Sequence, residues 1–181
     1  MAISGLRENE LVTRYADQNY AIGACGEVVI AVWRLQTHLD AISMLSDYLS
    51  DYAAPYPKGL SLLQIIEDNA SAPSPVARKS LAKMHDLHAR TIRRSAVVYT
   101  KPGFAGATAR AIITGVAMLN PPRFKHEHFA TVSKALQWLE FEMDTKRTVA
   151  VLASLDEAVA ELRATASYDP FGPEFEASMT K

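Results

Sequence analysis

The sequence lacks most features that mark a specialised class. It has one cysteine, Cys25, among 181 residues, so no internal disulfide forms and a disulfide scaffold is excluded. Such usage suits a reducing cytoplasm, the location expected for the chain. Its 8 glycines and 9 prolines follow no period, which excludes a collagen-like or low-complexity chain. No apolar run approaches the roughly 20 residues of a membrane helix, so no membrane span is expected. Met1–Glu10 mixes Arg7, Glu8 and Glu10 with scattered apolar residues, unlike a secretory signal. Net charge is nearly absent, at −1. Catalytic signatures are missing too: no Gly-x-Ser-x-Gly, no Gly-x-x-x-x-Gly-Lys and no Gly-x-Gly-x-x-Gly occurs. The residues therefore point to no cofactor and to a non-enzymatic role.

What is present fits a folded α/β chain. Hydrophobic residues make up 49% and charged residues 22%, enough for a core without staples. The near-neutral total conceals an asymmetry. Residues 1–74 sum to −5, residues 75–125 to +9, and residues 126–181 to −5. A basic middle between acidic flanks is a statement about partners. It fits docking of an acidic protein; the bland alternative is that the basic segment folds against its own flanks. Nucleic acid is the less expected partner, because the pI of about 6.5 lacks the basic bias of such binders.

Periodicity outlines the elements. Tyr20–Gly26 and Val28–Leu35 read as a β-hairpin about Gly26-Glu27. Thr37–Ala54 repeats apolar residues at helical steps and stops at Pro55 and Pro57. Leu60–Ile66 reads as a buried strand. Ser74 as N-cap with Pro75 at the first position opens a second helix, with Val76, Leu81, Met84 and Leu87 toward the core. Ser95–Thr100 reads as a strand, Phe104–Leu119 as a third helix, Phe124–Phe129 as a strand and Thr131–Met143 as a fourth helix. Alternating strands and helices predict a single sheet of mixed, partly parallel strands. Residues 148–163 fit either a strand–helix unit opened by the Ser154/Glu157 capping box or one amphipathic helix. The expected organisation is an N-terminal extension over 1–17, a domain over 18–145, an amphipathic extension over 146–166 and a tail over 167–181, which Phe171 and Phe175 would pin.

Over residues 18–143 this pattern resembles a STAS domain, the fold of anti-sigma-factor antagonists and of sulfate-transporter cytoplasmic domains, and in particular a bacterial STAS/SEC14-like subgroup. The residues that carry the resemblance are Leu60–Asp68, the loop Asn69–Pro75, Val76–Leu81, Ala96–Tyr99 and Phe129–Leu139. It implies a regulatory, signalling module that acts by protein–protein interaction. In anti-sigma-factor antagonists a serine at the start of the second helix, in an Asp-Ser-Ser-Gly kind of motif, is phosphorylated. By position Ser74 matches, with Ser71 as the second candidate. Here Pro75 follows Ser74, Ala72-Pro73 precede it and the glycine is absent. A phosphate at a helix N-terminus would meet free N–H groups and a favourable dipole.

Other chemistry is thin. His85 and His88 share a helix face, and His126 and His128 share a strand face with Glu127 opposite. Neither pair completes a metal-ligand set, so no metal is expected. Cys25 reads as a buried, inert thiol, and Asp68 as a loop carboxylate capping the Asn69 or Ala70 amides. The leading reading is a non-catalytic module that docks an acidic protein partner through Arg78, Lys79, Lys83, Arg90, Arg93, Arg94 and Arg110 on the second and third helices, with Ser74 at the rim. The alternative is a SEC14-like domain holding a small apolar ligand among Leu63, Met84, Ile112 and Val116. A homodimer through the hairpin or the C-terminal helix is compatible with both.

Overall fold

The computed structural model describes residues 10–100, 122–140 and 148–165. Six strands form one sheet whose spatial order is the chain order. They are β1 Leu11–Ala16, β2 Tyr20–Cys25, β3 Val28–Trp33, β4 Leu60–Ile66, β5 Ile92–Tyr99 and β6 Lys125–Phe129. The described helices are α1 Leu39–Tyr52, α2 Pro75–Leu87, α3 Val132–Glu140 and α4 Thr148–Ala164. The helix expected over Phe104–Leu119 lies outside the described residues, as do Phe141, Phe171 and Phe175. No helix among the described residues is long and apolar enough to cross a membrane.

The mixed sheet follows from its connections. Gly26 has φ 56° and, among the described residues, none but glycine takes a positive φ, so Gly26-Glu27 closes a two-residue turn of the type II′ pattern. That turn pairs Cys25 with Val28 and makes β2 and β3 antiparallel. β1 and β2 are antiparallel as well. From β3 onward every pairing is parallel, and the β3–β4 and β4–β5 connections carry α1 and α2, as parallel neighbours require.

Both faces of the sheet are covered. Ile22, Val29, Leu60 and Leu62 pack under α1 and α2, together with Leu45 and Leu49 of α1 and Met84 of α2. Ile30, Val32, Leu63, Ile65, Ala96 and Val98 pack on the opposite side against Leu136, Leu139, Leu155 and Leu162 of α3 and α4. Two-sided burial explains why β2 and β3 are apolar at nearly every position, without alternation. Cys25 is buried here, and burial pushes its thiol pKa up, so it is inert as expected.

Two expectations are corrected and one open alternative is decided. Residues 11–16, placed in an extension, form edge strand β1. A bulge between Thr13 and Tyr15 puts Leu11 on the α4 side and Tyr15 on the α1 side, although an even spacing would keep both on one face. The chain over 148–164 is one helix, so Ser154 lies inside it and the Ser154/Glu157 spacing marks no helix start. The expected inward face of α2 holds only in part: Met84 is buried and Leu81 packs against the same core, but Val76 and Leu87 do not. With its C-cap, α2 buries Ala77, Met84 and His88, while Val76 and Leu87 stand 60% and 73% exposed.

Candidate functional site

The exposure of Val76 and Leu87 decides what α2 offers to a partner. The Ser74 Oγ accepts a hydrogen bond from the Ala77 N–H at 3.1 Å, with Pro75 at the first helical position. This is the expected cap, and Ser74 itself is exposed. Ser71 is exposed too; its N–H donates to the Leu35 carbonyl at 2.7 Å and its Oγ to the same oxygen at 3.3 Å. Beyond the cap, Val76, Lys79, Lys83 and Leu87 recur at three- and four-residue steps along α2, all exposed, with Asp86 exposed beside them and Arg90 exposed in the turn that follows the helix. The four helical residues form one outward stripe of apolar and cationic groups, with Arg78 exposed beside it. Among the described residues, no ion pair engages Arg78, Lys79, Lys83 or Arg90.

Two of the expected docking residues belong elsewhere. Arg94 is 2% exposed. It lies on β5, which begins at Ile92 and so takes in both arginines. It pairs in register with Ser61 and Lys125 on the α3 side of the sheet. Its Nη1 donates to the Trp138 and Leu139 carbonyls at 3.2 and 3.0 Å, and its guanidinium lies 5.5 Å from the Trp138 ring centroid. It therefore ties α3 to the sheet. Arg93 is tied to Glu27 of the hairpin turn at 2.5 Å, with Ser61 Oγ at 3.4 Å. Arg110 lies outside the described residues.

The carboxyl ends of the parallel strands carry a closed polar network. Arg163 of α4 grips Glu67 through two bonds of 2.5 and 2.6 Å, and this raises the arginine's pKa. Thr100 Oγ1 donates to Asp68 at 2.6 Å, so Asp68 is held by a hydroxyl instead of capping Asn69 or Ala70. Arg34 donates from Nη2 to the Leu162, Arg163 and Thr165 carbonyls at 3.0, 3.2 and 2.6 Å. Its other terminal nitrogen bonds the Asp17 carbonyl. These two arginines pin the end of α4 across the strand ends.

Under α2 the structure brings His85 of one sequence pair together with both histidines of the other. The His85 and His126 rings lie 5.9 Å apart, and His126 and His128 4.8 Å apart. Tyr99 stacks on His128 at 5.9 Å. Glu127 points to the other face, as expected, since it pairs with Ala96 of the α3-side core. His85 Nε2, His126 Nδ1 and both nitrogens of His128 are buried without a hydrogen-bond partner, as is the neighbouring Ser95 Oγ. Burial lowers the pKa of His85 to about 4 and of His126 to about 3, and lowers that of His128 as well. The cluster is thus a set of neutral imidazoles. Among the described residues, no group of three or more His, Cys, Asp or Glu is arranged to hold a metal ion. His88, the C-cap of α2, is buried and its Nε2 meets Ser46 Oγ of α1 at 2.9 Å.

The apolar-pocket grouping does not survive the topology. Leu63 and Met84 belong to cores on opposite faces of the sheet, so they line no common cavity; Ile112 and Val116 lie outside the described residues. Among the described strands, β2 and β3 of the hairpin are interior and the edges are β1 and β6.

No protein-family model matches the chain, and no curated protein matches it. Solved structures that are similar include two from bacteria. One is a Shewanella loihica protein of the DUF3478 family with a SpoIIAA-like fold, at 16% identity and a TM-score of 0.42, covering 76% of this chain and 99% of that one. The other is a murein peptide ligase from Psychrobacter arcticus, at 14% identity and a TM-score of 0.43, covering 92% of this chain but 32% of that one. The architecture read from the strands above is α/β with a mixed, partly parallel sheet, as expected from the sequence.

Proposed function

We propose that the chain is a non-catalytic regulatory module of the STAS type that docks an acidic protein through the outer face of α2. The observation that carries this reading is the stripe of Val76, Lys79, Lys83, Leu87 and Arg90, exposed throughout, its cations engaged by no ion pair among the described residues. Unpaired cations steer an acidic partner and set its register. Leu87 and Val76, standing out between them, supply the apolar contact area that charge alone does not give. Ser74 and Ser71 flank the start of this face. A phosphate on Ser74 would add negative charge beside Arg78 and remove the hydroxyl from its capping role, changing the face electrostatically.

The test is capture from an extract of the protein's own source, with bound proteins identified by mass spectrometry. The expected result is one acidic protein, held at low salt and released as salt rises. Arg78→Glu with Lys83→Glu should abolish its capture while the circular dichroism spectrum stays unchanged. Capture that ignores both salt and charge reversal overturns the reading. An intact-mass measurement on the same material should show one added phosphate if Ser74 or Ser71 is the switch.

A further inference from the structure

The helical face that carries the basic stripe also carries its electrostatic complement. The outward residues of α1 include Asp40, Ser43, Asp47, Ser50 and Asp51, all exposed. They make an acidic row of otherwise small side chains beside the basic, apolar-studded row of α2. α1 and α2 cross between successive parallel strands on the same side of the sheet, so they run in the same direction.

One contact fixes their relative level. The Ser46 Oγ lies 2.9 Å from His88 Nε2, which sets the middle of α1 beside the end of α2. Asp40 stands ~9 Å before Ser46, and Lys83 ~7.5 Å before His88, at 1.5 Å per residue. Asp47 and Arg90 lie just past the same contact. Asp40 therefore has Lys83, and Asp47 has Arg90 of the turn after α2, at about its own level, with Leu87 between the two bands; Asp51 lies farther along and pairs with Arg14 at 3.9 Å.

A twofold axis parallel to the helices, lying over the gap between them, preserves levels and exchanges rows. It sets α1 of one copy over α2 of the other. We infer that this face pairs with a second copy of the chain, Asp40 meeting Lys83 and Asp47 meeting Arg90 across the axis twice, with each Leu87 seated among Ser43, Asp47 and Ser50. Such an interface is isologous, and every pair occurs in duplicate. The inference rests on the reading of α2 as a docking face and names the occupant of that face.

Sedimentation equilibrium on the full chain tests it. The wild type should approach twice the 19.9 kDa mass of one chain at low salt and return to one chain as salt rises. Asp40→Lys with Asp47→Lys makes both rows basic; Lys83→Glu with Arg90→Glu makes both acidic. Each double variant alone should be monomeric, whereas an equimolar mixture should restore a heterodimer, which also shows that both variants are folded. A wild type that stays monomeric at every concentration and salt overturns the inference, as does a dimer that either double variant leaves intact. Failure of the docking reading looks different. The acidic double variant would then still capture the extract protein, whereas loss of that capture beside a monomeric wild type retires self-pairing alone.

Discussion

Arg94 shows how far a single residue's charge is from its role. Its guanidinium is enclosed on the α3 side of the sheet, against the Trp138 ring and the last carbonyls of α3. A buried cation with such partners is structural: replacing it by Met should cost about 2 kcal/mol, the range of hydrogen bonds to charged groups. Thermal unfolding should show that loss while salt-dependent capture through α2 stays unchanged. Gly23 offers a second residue-scale test. A Cβ there would meet the Val12 carbonyl oxygen at 2.9 Å and the Leu162 Cδ1 at 3.3 Å. Gly23→Ala must therefore push away β1 or the end of α4, and a loss of about 1–3 kcal/mol is expected from such overpacking. The measurement is the urea midpoint, with amide exchange locating the loosening in residues 11–16 and 155–165.

Elements were legible in the sequence where a local rule decides them. The hairpin announced itself through Gly26, the end of α1 through Pro55, and α2 through its Ser74-Pro75 start. Ser74→Ala should remove the bond to the Ala77 amide and cost about 1 kcal/mol. If serine phosphorylation also matters, Ser74→Asp should keep the cap while altering capture; equal capture by both variants limits Ser74 to its capping role. Where several elements jointly decide, sequence reasoning missed. β1 was hidden because its bulge breaks the alternation of LVTRYA, so Leu11 and Tyr15 serve different faces. The inward face of α2 was read correctly at Leu81 and Met84 but not at its ends, because Val76 and Leu87 are apolar yet exposed. Small Ala77 and polar His88 pack inward instead. The cluster of His85, His126 and His128 joins α2 to β6; no spacing along the chain announces a contact made across the sheet.

At the scale of the whole molecule, that cluster ties stability to pH. In the folded chain burial keeps His85 and His126 neutral down to about pH 4 and 3, whereas the unfolded chain protonates them near the ordinary 6.5. Between these values the unfolded state binds more protons, so stability is full above 6.5 and is lost as pH falls toward 4. Urea midpoints should drop between about pH 7.5 and 5, and His126→Phe should flatten the drop. The edge strand matters at this scale as well. Deleting the chain through Ala16 would bare β2, whose Tyr20–Cys25 run is uncharged and buried throughout. Light scattering should then rise on standing, the behaviour of an unguarded apolar edge.

The order of the sheet carries one more consequence. Because spatial order equals chain order, each strand leaving a ribosome finds the edge it needs already in place, and none must be threaded between two partners that formed earlier. A nascent chain can accordingly lay down its sheet in the direction of synthesis, with α4 sealing one face only as the last described turn emerges.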